Sequence, residues 1–102
     1  MNNKNDFSEE TRELFIWNKE CWFCGMTHSD CLHHILNRVS DSPLNAAPLN
    51  NFSCHIGNGK LSQFKIRKKL LKKTLEYLKE SGYTLTKKDK AFKKEYSRYY
   101  ED

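Results

Sequence analysis

All four cysteines and all four histidines of this chain fall within the thirty-five positions from Cys21 to His55. They read Cys21-x-x-Cys24-Gly25, His28, Cys31, the adjacent pair His33-His34, and Cys54-His55, with an isolated Asn45 between the last two groups. Thiolates and imidazoles are the common ligands of zinc, and a neutral imidazole is also well placed to take a proton near neutral pH. Two chemistries follow from these residue types. One is thiolate ligation of a structural metal; the other is metal-assisted hydrolysis, in which one imidazole holds an ion while another activates water. Neighbours on a strand point to opposite faces, so His33 and His34 on a strand divide two tasks and cannot share one point.

The remaining sequence must position this set. At 102 residues the chain is expected to be one domain, 1–102, of α+β class and mostly helical. A hydrophobic fraction of 37 % against 30 % charged residues leaves a thin core, for which a metal clip is a common remedy. Ser8 before Glu9 and Glu10 predicts an N-terminal helix over 8–20, with Leu14, Phe15, Ile16 and Trp17 as its apolar patch. Residues 21–37 read as a zinc knuckle and a short hairpin, turning around 25–30 and returning over 31–36. Residues 37–53 read as loop, because Asp41-Ser42-Pro43, Pro48 and Asn50-Asn51 interrupt regular structure. A short helix is expected to open at His55, and 21–60 forms the central segment. The basic segment 61–102 is expected to hold two helices. The first covers 61–81, with Leu61, Phe64, Leu71, Leu75 and Leu78 on one face and Gly82 as its stop. The second opens at Thr86-Lys87-Lys88-Asp89, a capping-box pattern, runs to about residue 99 and docks by packing of Phe92, Tyr96, Tyr99 and Tyr100.

Charge is distributed unevenly. Residues 1–59 hold four Lys or Arg against seven acids, whereas residues 60–102 hold fourteen against six, a local net of +8. Such a basic half is the electrostatic footprint of a nucleic-acid binder, with Lys65, Lys68, Lys69 and Lys72 as candidate phosphate contacts; a solvated helix face is the plainer account. The polar start shows no apolar export segment, and no apolar run approaches the ~20 residues that span a bilayer. The expectation is therefore an intracellular, cytoplasmic chain with no membrane partner, whose thiols stay reduced. A Cys-x-x-Cys pair then reads as a zinc half-site, since the βαβ pattern around a thioredoxin-like redox pair is missing.

The ordered set Cys21-x-x-Cys24-Gly25, His33-His34-Ile35, Asn45 and Pro48-Leu49 before Cys54-His55 resembles the HNH endonuclease family over about residues 12–60. The resemblance implies a ββα-metal (His-Me finger) core behind a zinc knuckle, and a metal-dependent endonuclease acting on DNA. It assigns His34 as general base, His33 and His55 as ligands of a catalytic divalent ion (Mg²⁺ or Mn²⁺), and Asn45 as the residue holding the loop that carries the base. Cys21, Cys24 and Cys54 would hold a structural Zn²⁺. Small free-standing members of this kind, homing enzymes included, are phage-type proteins. A phage-encoded chain acting in the host cell, as a homodimer or within a larger phage protein complex, follows from that likeness. Arg38, four residues past the base, has a guanidinium fork suited to a phosphate oxygen, or is an ordinary surface arginine.

The chain departs from the family at one point. A fourth thiol is expected shortly before Cys54-His55, yet the sequence there is Leu49-Asn50-Asn51-Phe52-Ser53. Cys31 and His28 are the available substitutes; otherwise the site is three thiolates plus water, or a set of buried thiols with no metal. Two other functions fit the same residues. One is a non-catalytic zinc-knuckle nucleic-acid-binding module, for which His34 would be dispensable. The other is an adaptor whose Tyr-rich C-terminus docks a larger assembly.

Overall fold

The computed structural model describes residues 7–50, 54 and 59–101. Among these residues the chain is α+β, with three helices and one two-stranded antiparallel sheet. In chain order the elements are α1 (Glu9–Leu14), β1 (Cys31–His34), β2 (Ala46–Leu49), α2 (Phe64–Glu80) and α3 (Lys87–Glu95). Short 3-10 turns at Asn37–Val39, Pro43–Asn45, Gly59–Ser62 and Ser97–Tyr99 join them. No helix among the described residues is long and apolar enough to cross a membrane.

Helix α1 starts where the sequence predicts, with the Ser8 side chain accepting the Thr11 N–H at 3.2 Å. It stops at Leu14, six residues short of the predicted end at 20. Phe15 turns inward, stacking on Tyr77 at 5.2 Å and meeting Trp22 edge-on at 5.9 Å, and the Tyr77 hydroxyl donates to the Leu14 carbonyl. Asn18 then fixes the chain's new direction by accepting the Trp22 indole N–H at 2.9 Å and donating to the Glu20 carbonyl. Ile16 and Trp17 consequently lie outside the core, 57 % and 84 % exposed.

The strand pairing differs from the predicted hairpin. Strand β1 pairs not with the knuckle segment but with β2, Cys31 opposite Leu49 and His34 opposite Ala46. Strand β2 thus lies inside the 37–53 stretch read as loop. Pro48 was the misleading signal. The Ile35 N–H donates to the Asn45 carbonyl, which places Pro48 at a non-hydrogen-bonded position, where a missing N–H removes no ladder bond. The outward carbonyls of β2 are taken by the rest of the protein. Ala46 O accepts the Thr74 hydroxyl of α2 at 2.7 Å, and Pro48 O accepts the Trp22 N–H of the knuckle at 2.9 Å. Strand β2 is the seam between the knuckle, β1 and α2.

Helix α2 buries Leu70, Leu71, Thr74 and Leu78. Leu71 and Leu78 belong to the predicted face, and Leu61 is buried in the preceding turn; Phe64 is 41 % exposed and packs on Tyr99 instead. The helix starts at residue 64, not 61, because Gly59–Ser62 forms a 3-10 turn. Its end is set by Gly82, whose φ of +83° allows the Tyr83 N–H to reach Leu78 O and its own N–H to reach Lys79 O. Helix α3 has the predicted capping box between Thr86 and Asp89, but ends at Glu95 and yields to the turn Ser97–Tyr99. Phe92 is buried and packs against Tyr96 at 5.0 Å.

Candidate metal centre and histidine site

The knuckle is built from local backbone bonds. The Gly25 N–H donates to Cys21 O at 2.8 Å and the Cys21 N–H to Thr27 O at 2.9 Å, closing a tight loop with Gly25 at φ +71°. A single antiparallel bridge, Glu20 to His28, completes it in place of the regular hairpin expected there. Cys54 is brought up from beyond β2, its N–H donating to Asn50 O. The sulfurs of Cys21, Cys24 and Cys54 lie within 4.8 Å of one another, with Cys21 and Cys54 buried and Cys24 exposed. Three thiols converging on one point, two of them in a dry environment, suit a soft divalent metal such as zinc.

Neither Cys31 nor His28 joins that group among the described residues. Cys31, on β1, instead donates its thiol to Leu49 O of β2 at 3.4 Å, and burial, aided by Asp30 and Cys21, pushes it up to about 11. Asn50, one of the two residues standing where a fourth thiol was expected, is buried and donates its side-chain amide to His28 O at 2.9 Å. It ties the knuckle to β2 by a hydrogen bond in a region where a metal bond was anticipated. Thr27 lies 3.2 Å from the Cys24 sulfur, and the Met26 N–H donates to that sulfur at 3.4 Å. These contacts, Thr27 first, with Met26 and Cys54 adding, hold the Cys24 thiol down to about 6.

His33 and His34 end β1 on successive positions, and the Nε2 atoms of both are buried. The Phe7 ring stacks on the His34 imidazole at 3.9 Å and 12°, and Asp41 Oδ1 lies 3.7 Å from His34 Nε2. Asn45 is fully buried directly after the connecting loop. Its Oδ1 accepts the Leu36 N–H at 2.8 Å, and its Nδ2 donates to the carbonyls of Asn37 and Ser40 at 3.0 Å each. One side chain thereby closes the loop that leaves His34. Arg38 is exposed on that loop. His55 lies outside the described residues, so the catalytic ligand set proposed from the sequence has His33 on β1 and its second member undescribed.

Lys65 and Lys69 are exposed on α2, and Lys68 and Lys72 partly so, along the side opposite the buried Leu70, Leu71, Thr74 and Leu78. Lys73, also exposed, lies 5.4 Å from the Trp22 ring centroid.

Two residues support the site without a local sequence signal of that role. Thr74 sits mid-helix and had no visible task there; its hydroxyl serves β2. Asp89 was read as a cap alone, yet it also accepts the Ser42 hydroxyl at 2.6 Å and the Tyr83 hydroxyl at 2.5 Å, joining α3 to the loop after β1. A serine forty-seven positions away carries no sequence signal of that partnership. No family model matches the chain, and neither a curated protein nor a solved structure does.

Proposed function

We propose that this chain is a metal-dependent endonuclease of HNH type that hydrolyses phosphodiester bonds of DNA. The observation carrying this reading is the junction at the strand pair. The paired histidines end one strand, a buried Asn45 clamps the loop that leaves them, and β2 leads directly to the three-thiol knuckle. In this reading the strands are the two β elements of a ββα-metal core. His34 takes the proton from the attacking water. His33 and His55 hold a divalent cation, Mg²⁺ or Mn²⁺, whose chemistry when bound is to neutralise phosphate charge and assist the leaving oxygen. Cys21, Cys24 and Cys54 bind zinc as a structural clip. Lys65, Lys68, Lys69 and Lys72 hold the DNA backbone, with Arg38 beside the scissile phosphate, and such contacts position a duplex without reading its sequence.

One observation favours a second reading, a zinc-knuckle nucleic-acid-binding module without catalysis. His34 is only 8 % exposed beneath Phe7. The stacked ring covers the π face and the His34 Nε2 is itself buried, which restricts the approach of the water that a general base must reach. Nicking of supercoiled plasmid in Mg²⁺ or Mn²⁺ separates the two. Under the nuclease reading wild type nicks, a chelator stops it, and His34→Ala loses roughly 10²–10⁴-fold in rate with binding retained. Equal binding and no cleavage by either protein leaves the binding module as the account.

A further inference from the structure

We propose that Cys24 is a site of oxidation by hydroperoxides, with Cys54 as its resolving thiol, so that the knuckle exchanges its metal clip for a disulfide. This inference rests on the metal-knuckle reading and is independent of whether the chain cuts DNA.

The geometry separates the four thiols into distinct classes. Cys24 is exposed, whereas Cys21 is 0 % and Cys54 3 % exposed, so a reagent arriving from solvent meets Cys24 first. The partner for the second step is already in place: Cys24 and Cys54 belong to one group of sulfurs within 4.8 Å, and of the two buried sulfurs Cys54 is the one in hydrogen-bond contact with the Cys24 thiol. Cys31 is half-buried, bonded to Leu49 O and outside that group. It provides an internal control, the same functional group less exposed and outside the three-sulfur group. Three protein thiolates also leave one position of a tetrahedral zinc without a thiolate, and losing two of the three leaves a single sulfur, too few to retain the ion.

The chemistry balances with hydrogen peroxide as the oxidant. The Cys24 thiolate attacks one peroxide oxygen; an S–O bond forms, the O–O bond breaks, and the departing hydroxide takes a proton to become water. Cys24 is now a sulfenic acid, oxidised by two electrons. The Cys54 thiolate attacks that sulfur; an S–S bond forms, the S–O bond breaks, and the second hydroxide is protonated to water. Two thiolates, one peroxide and two protons give one disulfide and two waters, and zinc departs. The new bond joins the same two segments that the metal joined, the knuckle and the chain beyond β2, so tethering survives while the ion is lost.

The test uses the full zinc-loaded chain treated with hydrogen peroxide. A chromophoric chelator reports zinc release, and alkylation, proteolysis and mass spectrometry map the thiols. Trypsin places Cys21, Cys24 and Cys31 in one peptide, 20–38, and Cys54 in another, 39–60. A Cys24–Cys54 disulfide therefore cross-links two peptides, whereas Cys21–Cys24 only removes two hydrogens from one. The expected result is zinc release in step with the cross-linked peptide, fragmentation placing the bond at Cys24, and reversal by dithiothreitol and added zinc. Cys31→Ser should behave as wild type, and Cys24→Ser should release zinc at least tenfold more slowly. If Cys24→Ser fails to hold zinc, the wild-type peptide map decides alone. Zinc retained under peroxide that fully oxidises free cysteine overturns the proposal, as does release with Cys24 still alkylatable or with the bond at Cys21 or Cys31. A chain that binds no zinc before peroxide is added overturns the knuckle reading itself, which is a different outcome.

Discussion

Asn45 concentrates more structural work than any other single side chain near the histidines. It satisfies one N–H and two carbonyls of the loop 36–40 from a fully buried position. Replacing it with alanine strands those three groups, each at about 1–3 kcal/mol when left without a partner, so Asn45→Ala should lose about 3 kcal/mol or more in urea unfolding. Asn45→Asp keeps the acceptor for Leu36 but turns a charged oxygen toward two carbonyls. It should be no more stable than the alanine variant, and an Asp variant of wild-type stability would show that the amide donors contribute little. Under the proposed function both variants lose nicking at temperatures where they remain folded, because the loop leaving His34 is released.

At the scale of elements, α3 is held to the core by Asp89 as much as by its apolar face. Burial alone would raise the Asp89 carboxyl. Hydrogen bonds from Ser42, from the Thr86 N–H and from Tyr83 outweigh it and hold the group below its ordinary value of 3.8. Tyr83, pushed up to about 12 by its own burial and by Asp89, stays protonated as the donor. A carboxyl depressed in the folded state contributes stability that is fully present above its unfolded pKa and is lost as pH falls through the folded one. Urea midpoints should therefore be insensitive to this group from about pH 7 to 5 and decline on acidification through and below pH 4. Asp89→Asn should lower the midpoint at pH 7 and flatten that acid-side decline. An unchanged slope in the Asn variant would place the acid sensitivity elsewhere. The pairing of β1 with β2 shows the same dependence on distant partners, since the carbonyls of Ala46 and Pro48 on the far edge of β2 are taken by α2 and the knuckle.

For the molecule as a whole, zinc in the three-thiol knuckle would, under the proposed function, be part of folding, because the core is thin. Stripping zinc with a strong chelator should broaden and lower the thermal transition followed by circular dichroism, with recovery on zinc addition; identical melting with and without metal would reduce the cluster to packed thiols. Under the proposed function, the uneven charge gives a second whole-molecule expectation, salt-dependent binding to DNA. Each phosphate contact contributes about 0.9 to the slope of log affinity against log salt. Replacing Lys65, Lys68, Lys69 and Lys72 with alanine should flatten that slope by up to about 3–4, and an unaltered slope would move the interface off α2.

Local features are legible in the sequence. Ser8 as a helix start, the Thr86–Asp89 box, the Gly82 stop and the Cys-x-x-Cys turn are each written within a few neighbouring residues, because capping and turn chemistry act over that range. The sequence also named three thiols that the fold brings together, Cys21 and Cys24 from their shared turn and Cys54 from the family resemblance carried by Cys54-His55. Partnership across distance is set by packing and carries no local signal. Strand β2 was hidden by Pro48, whose effect depends on which edge of a pair it occupies, a property of register and not of composition. Asn50 in place of a thiol, Thr74 on Ala46 and Asp89 on Ser42 are hydrogen bonds between segments remote in the chain. No periodicity encodes them, because they are imposed by the demand that each buried polar group find whichever partner the packing of other elements supplies.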